Sequence, residues 1–440
     1  MPFKKLVICL ALFMLTGFVR GASHDLEKDP FPLFYLQRNL THILINDNVS
    51  PPVASRFYVY PNLAANCVLS LASKTPGVCA AIKGFPAPPK ITDGMHFSPS
   101  LASSFAFFET ARKLIYTTQP FRDSFEILIQ WYKREIKDND VFEQSKKIGQ
   151  QTADAILQWL DQDRFNETRA MNKYVLLRDP GKWQLTAPGY FAAVEPHFGE
   201  LRPLLTPAAP GIDQLLPINF DTSAVSGFRA EALNVRNTVN NLSDEQKLIA
   251  SFWDCNPYAL KPVGHINMIV KKISPGGHWM SIAGIACRMK NYDLSQSSDA
   301  FALCAVAIYD AFVFTWKKKY EYSSLRPETY IQQFGIDENW EPFIQSPPFP
   351  EFPSGHAVIS NSAACILTHL FGKDFAYWDD TEADFGISPR HFSSFDAAAE
   401  EATISRVYGG IHFSFSCLTG QQMGKMLGAE ILSKMEAVVK

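Results

Sequence analysis

The chain has 440 residues, of which 47% are hydrophobic and 19% charged, and a formal net charge of −3. That is enough apolar material for one large core or two ordinary ones, and it excludes a disordered, polymer-like chain. It also leaves no overall positive field for nucleic acid, so strong positive potential has to be local, built from a few converging Lys and Arg.

Residues 1–22 read as a signal peptide: Lys4 and Lys5 precede an apolar stretch from Leu6 to Val19, and Gly21, Ala22 and Ser23 follow at a plausible cleavage point. The apolar run is too short for an ordinary membrane span, and Cys9 lies inside it rather than after a small-residue motif, which argues against a lipid anchor. The expectation is a secreted or periplasmic protein with no membrane span in the mature chain. Seven cysteines remain (Cys67, Cys79, Cys255, Cys287, Cys304, Cys365 and Cys417) with no C-x-x-C among them, so zinc and thioredoxin-like chemistry find no support. Cys67 and Cys79 are close enough in sequence to close a disulfide loop, whereas Cys287, Cys304 and Cys365 sit in apolar helical stretches and read as buried thiols.

Strand-like alternation is short and scattered, while helical periodicity recurs from the segment Ser100 to Tyr116 through to the C-terminus, which predicts an all-α fold. Prolines at 188, 196, 203, 207, 210 and 217 cannot continue a helix. They divide an N-terminal helical region, 23–210, from a C-terminal helical bundle, 211–440. The pattern alone leaves open whether these are two domains or two lobes of one core.

In the second half, Asp299 to Lys319 is apolar nearly all round and interrupted by Asp310. That central charge, and the lack of a second such segment beyond the leader, make it the central member of a bundle rather than a membrane span. Helices are then expected from about His356 to Leu370, stopped by Gly372, from about Phe395 to Tyr408, entered through Ser393 and Ser394, and finally towards Lys440.

Three short segments here carry chemistry. In the first, a helix ends in Lys317, Lys318 and Lys319, and Pro327 forces Arg326 away from helical geometry. A solvated cationic helix end that complements the helix dipole is the bland alternative. In the second, PPFPEFPSGH, Pro353 stiffens the approach, Ser354 is a good N-cap, Gly355 lets a ligand approach backbone N–H, and His356 lies in the first helical turn. The bland alternative is a capped helix with a buried, hydrogen-bonded histidine. In the third, Ser405 to His412, an arginine precedes a histidine across Gly409 and Gly410, where either close ligand approach or a helix-packing notch explains the glycines. Together Lys319, Arg326 and Arg406 supply three cations, Ser354 and Gly355 neutral donors, and His356 and His412 two imidazoles: the makings of an oxyanion cradle.

The sequence resembles the superfamily of type 2 phosphatidic acid phosphatases and vanadium-dependent haloperoxidases, whose shared signature is K-x6-R-P, P-S-G-H and S-R-x5-H. All three motifs stand in order here, as Lys319 to Pro327, Pro353 to His356 and Ser405 to His412. The haloperoxidase branch looks closer, judged by PPFPEFPSGHA, FDAAAEEATISRVYGGIHF, PGGHW (Pro275 to Trp279) and GKWQLTAPGY (Gly181 to Tyr190), and bacterial iodoperoxidases closest in feel. The resemblance implies helical bundles of the haloperoxidase and acid phosphatase type. It implies that Lys319, Arg326, Ser354, Gly355 and Arg406 hold the oxygens of a vanadate cofactor, that His412 is the nitrogen ligand to the metal, and that His356 is the acid–base histidine.

Hydrogen peroxide and a halide, iodide or bromide, would be the substrates. Trp316, on the same helix face as Lys319, and Phe349 would line the halide pocket; plain core packing is the competing reading of both. His278 in PGGHW is a weaker pocket-lining candidate, and His24, His42, His369 and His391 read as ordinary residues.

One position departs from the superfamily: the aspartate usual four residues after the last histidine is Ser416 here. This predicts a less basic His412, hence iodide over bromide with little chloride oxidation, and weakens the alternative of a soluble acid phosphatase with His412 as nucleophile. A non-catalytic oxyanion-binding scaffold is the third class.

Overall fold

The computed structural model describes residues 25–92, 94–263 and 266–439; the signal-peptide expectation concerns residues that lie outside these. The expected all-α fold is found, with fourteen helices and two small antiparallel hairpins among the described residues. The first six helices are α1 (Phe31–Asn46), α2 (Pro51–Ser73), α3 (Pro99–Leu114), α4 (Gln119–Glu135), α5 (Asn139–Leu160) and α6 (Phe165–Ala170). After an irregular passage rich in proline come α7 (Gly227–Asn240), α8 (Asp244–Phe252) and the hairpin of β1 (Leu260–Val263) and β2 (Ile266–Ile269). Next are α9 (Pro275–Met289), α10 (Leu294–Tyr322), α11 (Pro327–Gln333) and α12 (Gly355–Phe371). A second hairpin, β3 (Tyr377–Asp379) with β4 (Arg390–Phe392), pairs Tyr377 with Phe392 and Asp379 with Arg390, and precedes α13 (Phe395–Tyr408) and α14 (Ser414–Val439).

Helix starts follow local sequence. Ser98 and Ser274 cap the third residue of α3 and α9 just ahead of a proline at the first position, Ser394 caps Ala397 N–H in α13, and Asp293 forms a reciprocal capping box with Gln296 at α10. Each satisfies N–H groups that a helix leaves without internal partners.

The 29-residue α10 is the central post and packs against α2, α9, α12 and α14. It is long and apolar enough to cross a membrane, but nearly all of it is buried inside the fold, as expected of a bundle's middle helix. The buried charge at its middle has a specific use. Asp310 is fully buried and accepts from the backbone N–H of Leu204, Leu205 and Thr206 at 2.7, 2.8 and 2.8 Å. The proline-rich passage is thus pinned to the middle of the central helix, and one hydrophobic core runs across it from Leu33 to Ile431. Removing the carboxylate orphans three buried N–H groups at about 1–3 kcal/mol each before relaxation. Asp310→Ala is expected to lower unfolding free energy by roughly 3–5 kcal/mol, read from the urea midpoint; a loss under about 1 kcal/mol would mean water replaces the carboxylate.

Helix α14 reaches α12 through Gly420, Gly424 and Gly428. A Cβ at Gly424 would stand 2.3 Å from the Val358 carbonyl, and one at Gly428 2.6 Å from Cys365 Cβ. Only glycine allows this approach, which backs the helix carrying the P-S-G-H motif. All seven cysteines among the described residues are free thiols, Cys67 and Cys79 included; Cys79 Sγ donates to the Leu63 carbonyl at 3.3 Å.

Candidate active site

The three motif segments converge at the C-terminal end of α10 and the N-terminus of α12. Lys319 and Arg326 are fully buried, so the solvated helix-end reading fails. Lys319 Nζ donates to three carbonyls, Pro350 and Glu351 at 2.9 Å and Pro353 at 2.7 Å, which holds the proline loop in its curve. Burial and then Arg326 push the Lys319 pKa well below its ordinary value, but three carbonyl acceptors call for the three N–H of an ammonium. Arg326 donates through Nε and Nη2 to the Phe349 carbonyl and through Nη1 to the Ile411 carbonyl at 2.8 Å and His412 Nε2 at 3.1 Å. Arg406, also buried, spans Ser405 Oγ and the Trp253 carbonyl.

A pocket of about 470 Å³, its open mouth included, is lined by Trp316, Phe349, Gly355, His356, Arg406 and His412 among otherwise largely apolar residues. The Trp316 and Phe349 rings meet at 5.0 Å between centroids, and Lys319 Nζ and the Arg326 guanidinium each lie 5.1 Å from the Phe349 ring. Trp316 Nε1 is tied to the Val194 carbonyl. The pair is therefore well packed and also forms pocket wall.

Several residues behave differently from the sequence reading. Ser354 caps no N–H of α12; its hydroxyl lies beside the Cys417 thiol and is left without a hydrogen-bond acceptor or donor among the described residues. His356 Nε2 is likewise buried without a partner, on a side chain that is partly open to the pocket. Gly409 and Gly410 form a packing notch rather than a ligand approach. A Cβ at Gly409 would hit Ile344 at 2.6 Å, and one at Gly410, where φ is +78°, would stand 3.0 Å from Pro342 and Val239. His278 does not line the pocket; it is fully buried behind it.

The largest correction concerns His412. Its Nδ1 lies 2.7 Å from Glu351 Oε1, and Glu351 Oε2 accepts from Ser416 Oγ at 2.7 Å. Glu351, fully buried in the proline loop, thus supplies the carboxylate that Ser416 lacks. With Nδ1–H donated to Glu351, the Nε2 lone pair of His412 faces the cations. Burial first, then Arg326, Lys319 and Arg406, hold the His412 pKa well below the usual value, so the imidazole is neutral. His356 is held down in the same way, by burial and then Arg406. Burial raises Glu351 to about 7 against its Ser416 hydrogen bond and the pull of Arg326 and Lys319.

A family model for the second helical-bundle domain of vanadium chloroperoxidase matches residues 299–440. Vanadium chloroperoxidase from Curvularia inaequalis is 31% identical over 98 residues, 19% of this chain and 16% of its own length, so that match spans only a small part of the curated relative. The crystal structure described as the first bacterial vanadium-dependent iodoperoxidase superposes with a TM-score of 0.86 at 35% identity, covering 94% of this chain and 98% of that one. The chain belongs to the vanadium-dependent haloperoxidases. A holo-type bacterial vanadium-dependent chloroperoxidase shares the fold at 13% identity and a TM-score of 0.67 over 95% of this chain and all of that one.

Haloperoxidases of this family are peroxidase-type oxidoreductases with a vanadate cofactor, and the pocket fits such an anion. Lys319, Arg326 and Arg406 bring three positive charges together, against Glu351 within the site and Glu328 and Asp254 at its edge, Asp254 being already paired with Lys272, which leaves a buried positive surplus. None of the three cations is ion-paired with a carboxylate among the described residues. Buried charge of one sign is costly unless compensated, and the two unpartnered polar atoms, Ser354 Oγ and His356 Nε2, stand beside it. Glu351 could have been singled out from the sequence only as an acidic residue inside the proline loop; nothing in the spacing links it to His412.

Proposed function

We propose that this haloperoxidase oxidises iodide with hydrogen peroxide in preference to bromide, and chloride little or not at all. The observation that carries the reading is the buried surplus of positive charge, with an unpartnered hydroxyl and imidazole, opening onto an apolar pocket walled by Trp316 and Phe349. Vanadate would be held by Arg326, Ser354, Gly355, Arg406 and His412, with Lys319, whose three N–H are taken by carbonyls, contributing its positive charge. When bound it supplies a Lewis acid that activates peroxide without changing its own oxidation state. His412 offers the Nε2 lone pair, fixed by Glu351 on the other ring nitrogen. His356 takes or gives a proton at Nε2, and the apolar wall limits water.

The preference for iodide no longer follows from Ser416, because Glu351 supports His412. It rests on the aromatic pair and on the 35% likeness to a bacterial iodoperoxidase. Initial rates with the three halides on vanadate-loaded protein are expected to rank iodide first, and Trp316→Phe or Phe349→Leu to change the iodide-to-bromide ratio. Robust chloride oxidation by the unmodified protein would overturn the ranking, and an unchanged ratio in both variants would make the pair mere packing. The same carboxylate–histidine pair is what a phosphatase with a histidine nucleophile needs. Vanadate-free protein is therefore assayed with a phosphomonoester in parallel: steady turnover of order 1 per second would favour that second reading.

A further inference from the structure

Behind the wall that carries His356, three side chains from separate segments meet. Cys255 follows α8, His278 lies in the first turn of α9, and Glu382 lies three residues after β3. All three are buried, and one ligand atom from each lies within 4.8 Å of the others. Sγ of Cys255 is 3.8 Å from His278 Nδ1, and Glu382 Oε1 is 3.4 Å from the same nitrogen. In a tetrahedral zinc site, bond lengths of about 2.0–2.3 Å put neighbouring ligand atoms about 3.3–3.7 Å apart, so the two separations from His278 Nδ1, 3.8 and 3.4 Å, already lie close to that spacing.

The surroundings prepare these atoms. His278 Nε2 lies 2.8 Å from Asp379 Oδ2, whose other oxygen accepts from Thr381 N and Oγ1. Without a cation Asp379 raises the His278 pKa well above its usual value against the effect of burial; with Nε2–H donated to Asp379, loss of the Nδ1 proton on metal binding would turn a lone pair towards Cys255 and Glu382, the carboxylate–histidine–metal arrangement. The ring is further held by Trp253, stacked at 4.6 Å and 17°. Glu382 is 3% exposed, and its Oε1, the atom facing the cluster, has no hydrogen-bond partner among the described residues. A buried carboxylate oxygen left without a donor is costly, and a cation would satisfy it.

We propose that Cys255, His278 and Glu382 bind a divalent zinc ion, with Asp379 orienting the histidine. Sequence reasoning set zinc aside because it looked for C-x-x-C; here the ligands lie 23 and 104 residues apart along the chain (278 − 255 and 382 − 278) and only the fold joins them. The ion cross-links the end of α8, the start of α9 and the β3–β4 hairpin. It thereby fixes Trp253, whose carbonyl holds Arg406 at 2.7 Å. Because Cys255 also reaches the pocket wall, zinc keeps its sulfur occupied beside a site that makes oxidant. The assignment depends on neither vanadate binding nor halide oxidation.

Full-length protein, grown with added zinc and desalted, is expected to carry close to one zinc per chain by elemental analysis. Cys255→Ser and His278→Gln should retain less than a tenth of it, and Cys365→Ser all of it. Asp379→Asn should weaken zinc by 10–100-fold in competition with a chelator. Cobalt exchanged into the unmodified protein should show a thiolate-to-cobalt charge-transfer band, which tests the thiolate ligand even if a variant does not fold. No stoichiometric zinc or cobalt in the unmodified protein, no thiolate band, or full zinc retention in folded Cys255→Ser would overturn the proposal and leave the cluster an imidazole shared between two carboxylates.

Discussion

His412→Ala is expected to abolish vanadate binding, with affinity falling by more than 100-fold, whereas His356→Ala should keep vanadate within about tenfold and lose turnover by roughly 10²–10⁴-fold. The two histidines differ in what they face. His412 directs an Nε2 lone pair at the cations because Glu351 holds the other nitrogen, so it can only be a ligand or a nucleophile there. His356 has an unpartnered Nε2 and no carboxylate behind it among its hydrogen bonds, as a proton carrier requires. Titration of the vanadate-free variants with orthovanadate, followed by vanadium NMR, separates the roles; equal loss of vanadate in both would mean the assignment is wrong.

The same experiment has a pH arm. In the free site burial first, and then Arg406 and the other nearby positive charges, hold His356 in its neutral form, with a pKa well below the usual value. An anion in the cradle offsets that field, so the bound-state pKa is higher than the free one and binding takes up a proton. Vanadate affinity should therefore strengthen as pH falls through the window between those two values, beyond what vanadate's own ionisation gives. The extra slope should be missing in His356→Ala.

How much of this was legible in the sequence follows from what kind of signal each feature leaves. The helices from Pro99 and Phe395 are readable because caps and apolar periodicity are local, and the one from Gly355 because of its proline lead-in and apolar run, its expected Ser354 cap being absent. The cradle was readable because its residues come in three short, ordered motifs. Buried partners were not. Asp310 was seen as an interruption in an apolar helix, but its three acceptor bonds reach back more than a hundred residues. Gly409 and Gly410 fit two readings equally by sequence, and only Ile344 and Pro342, packed against them, decide for the notch. Ser416 misled because the motif records which side chain usually supports the histidine, while the fold can bring a carboxylate from Glu351, 61 residues away in sequence.

Glu351→Gln should therefore cost a haloperoxidase of this chain 10–100-fold in iodide turnover while leaving it folded, the range typical for a group that orients a metal ligand. The substitution is nearly isosteric, and its amide oxygen can still accept from His412 Nδ1 and Phe413 N, which now meet Glu351 Oε1 at 2.7 and 3.2 Å. Two electrostatic effects oppose each other. Losing a negative charge favours an anionic cofactor, but Glu351 is raised to about 7 and is only partly ionised near neutrality, so that gain is small. The loss of His412 basicity and of a fixed tautomer is then the larger effect. Ionisation of Glu351 above about pH 7 strengthens its grip on Nδ1–H, so the unmodified protein should gain activity through that pH and the Gln variant should not. Glu351→Ala, by contrast, also orphans Ser416 Oγ, Phe413 N and His412 Nδ1, and should destabilise by roughly 3–5 kcal/mol. A positioning role predicts rescue: Ser416→Asp in the Glu351→Gln background returns a carboxylate to the place where Ser416 Oγ now lies 2.7 Å from Glu351, and should recover at least tenfold of the lost rate. Full activity of Glu351→Gln across the pH range would reduce Glu351 to a hydrogen-bonding spacer in the proline loop.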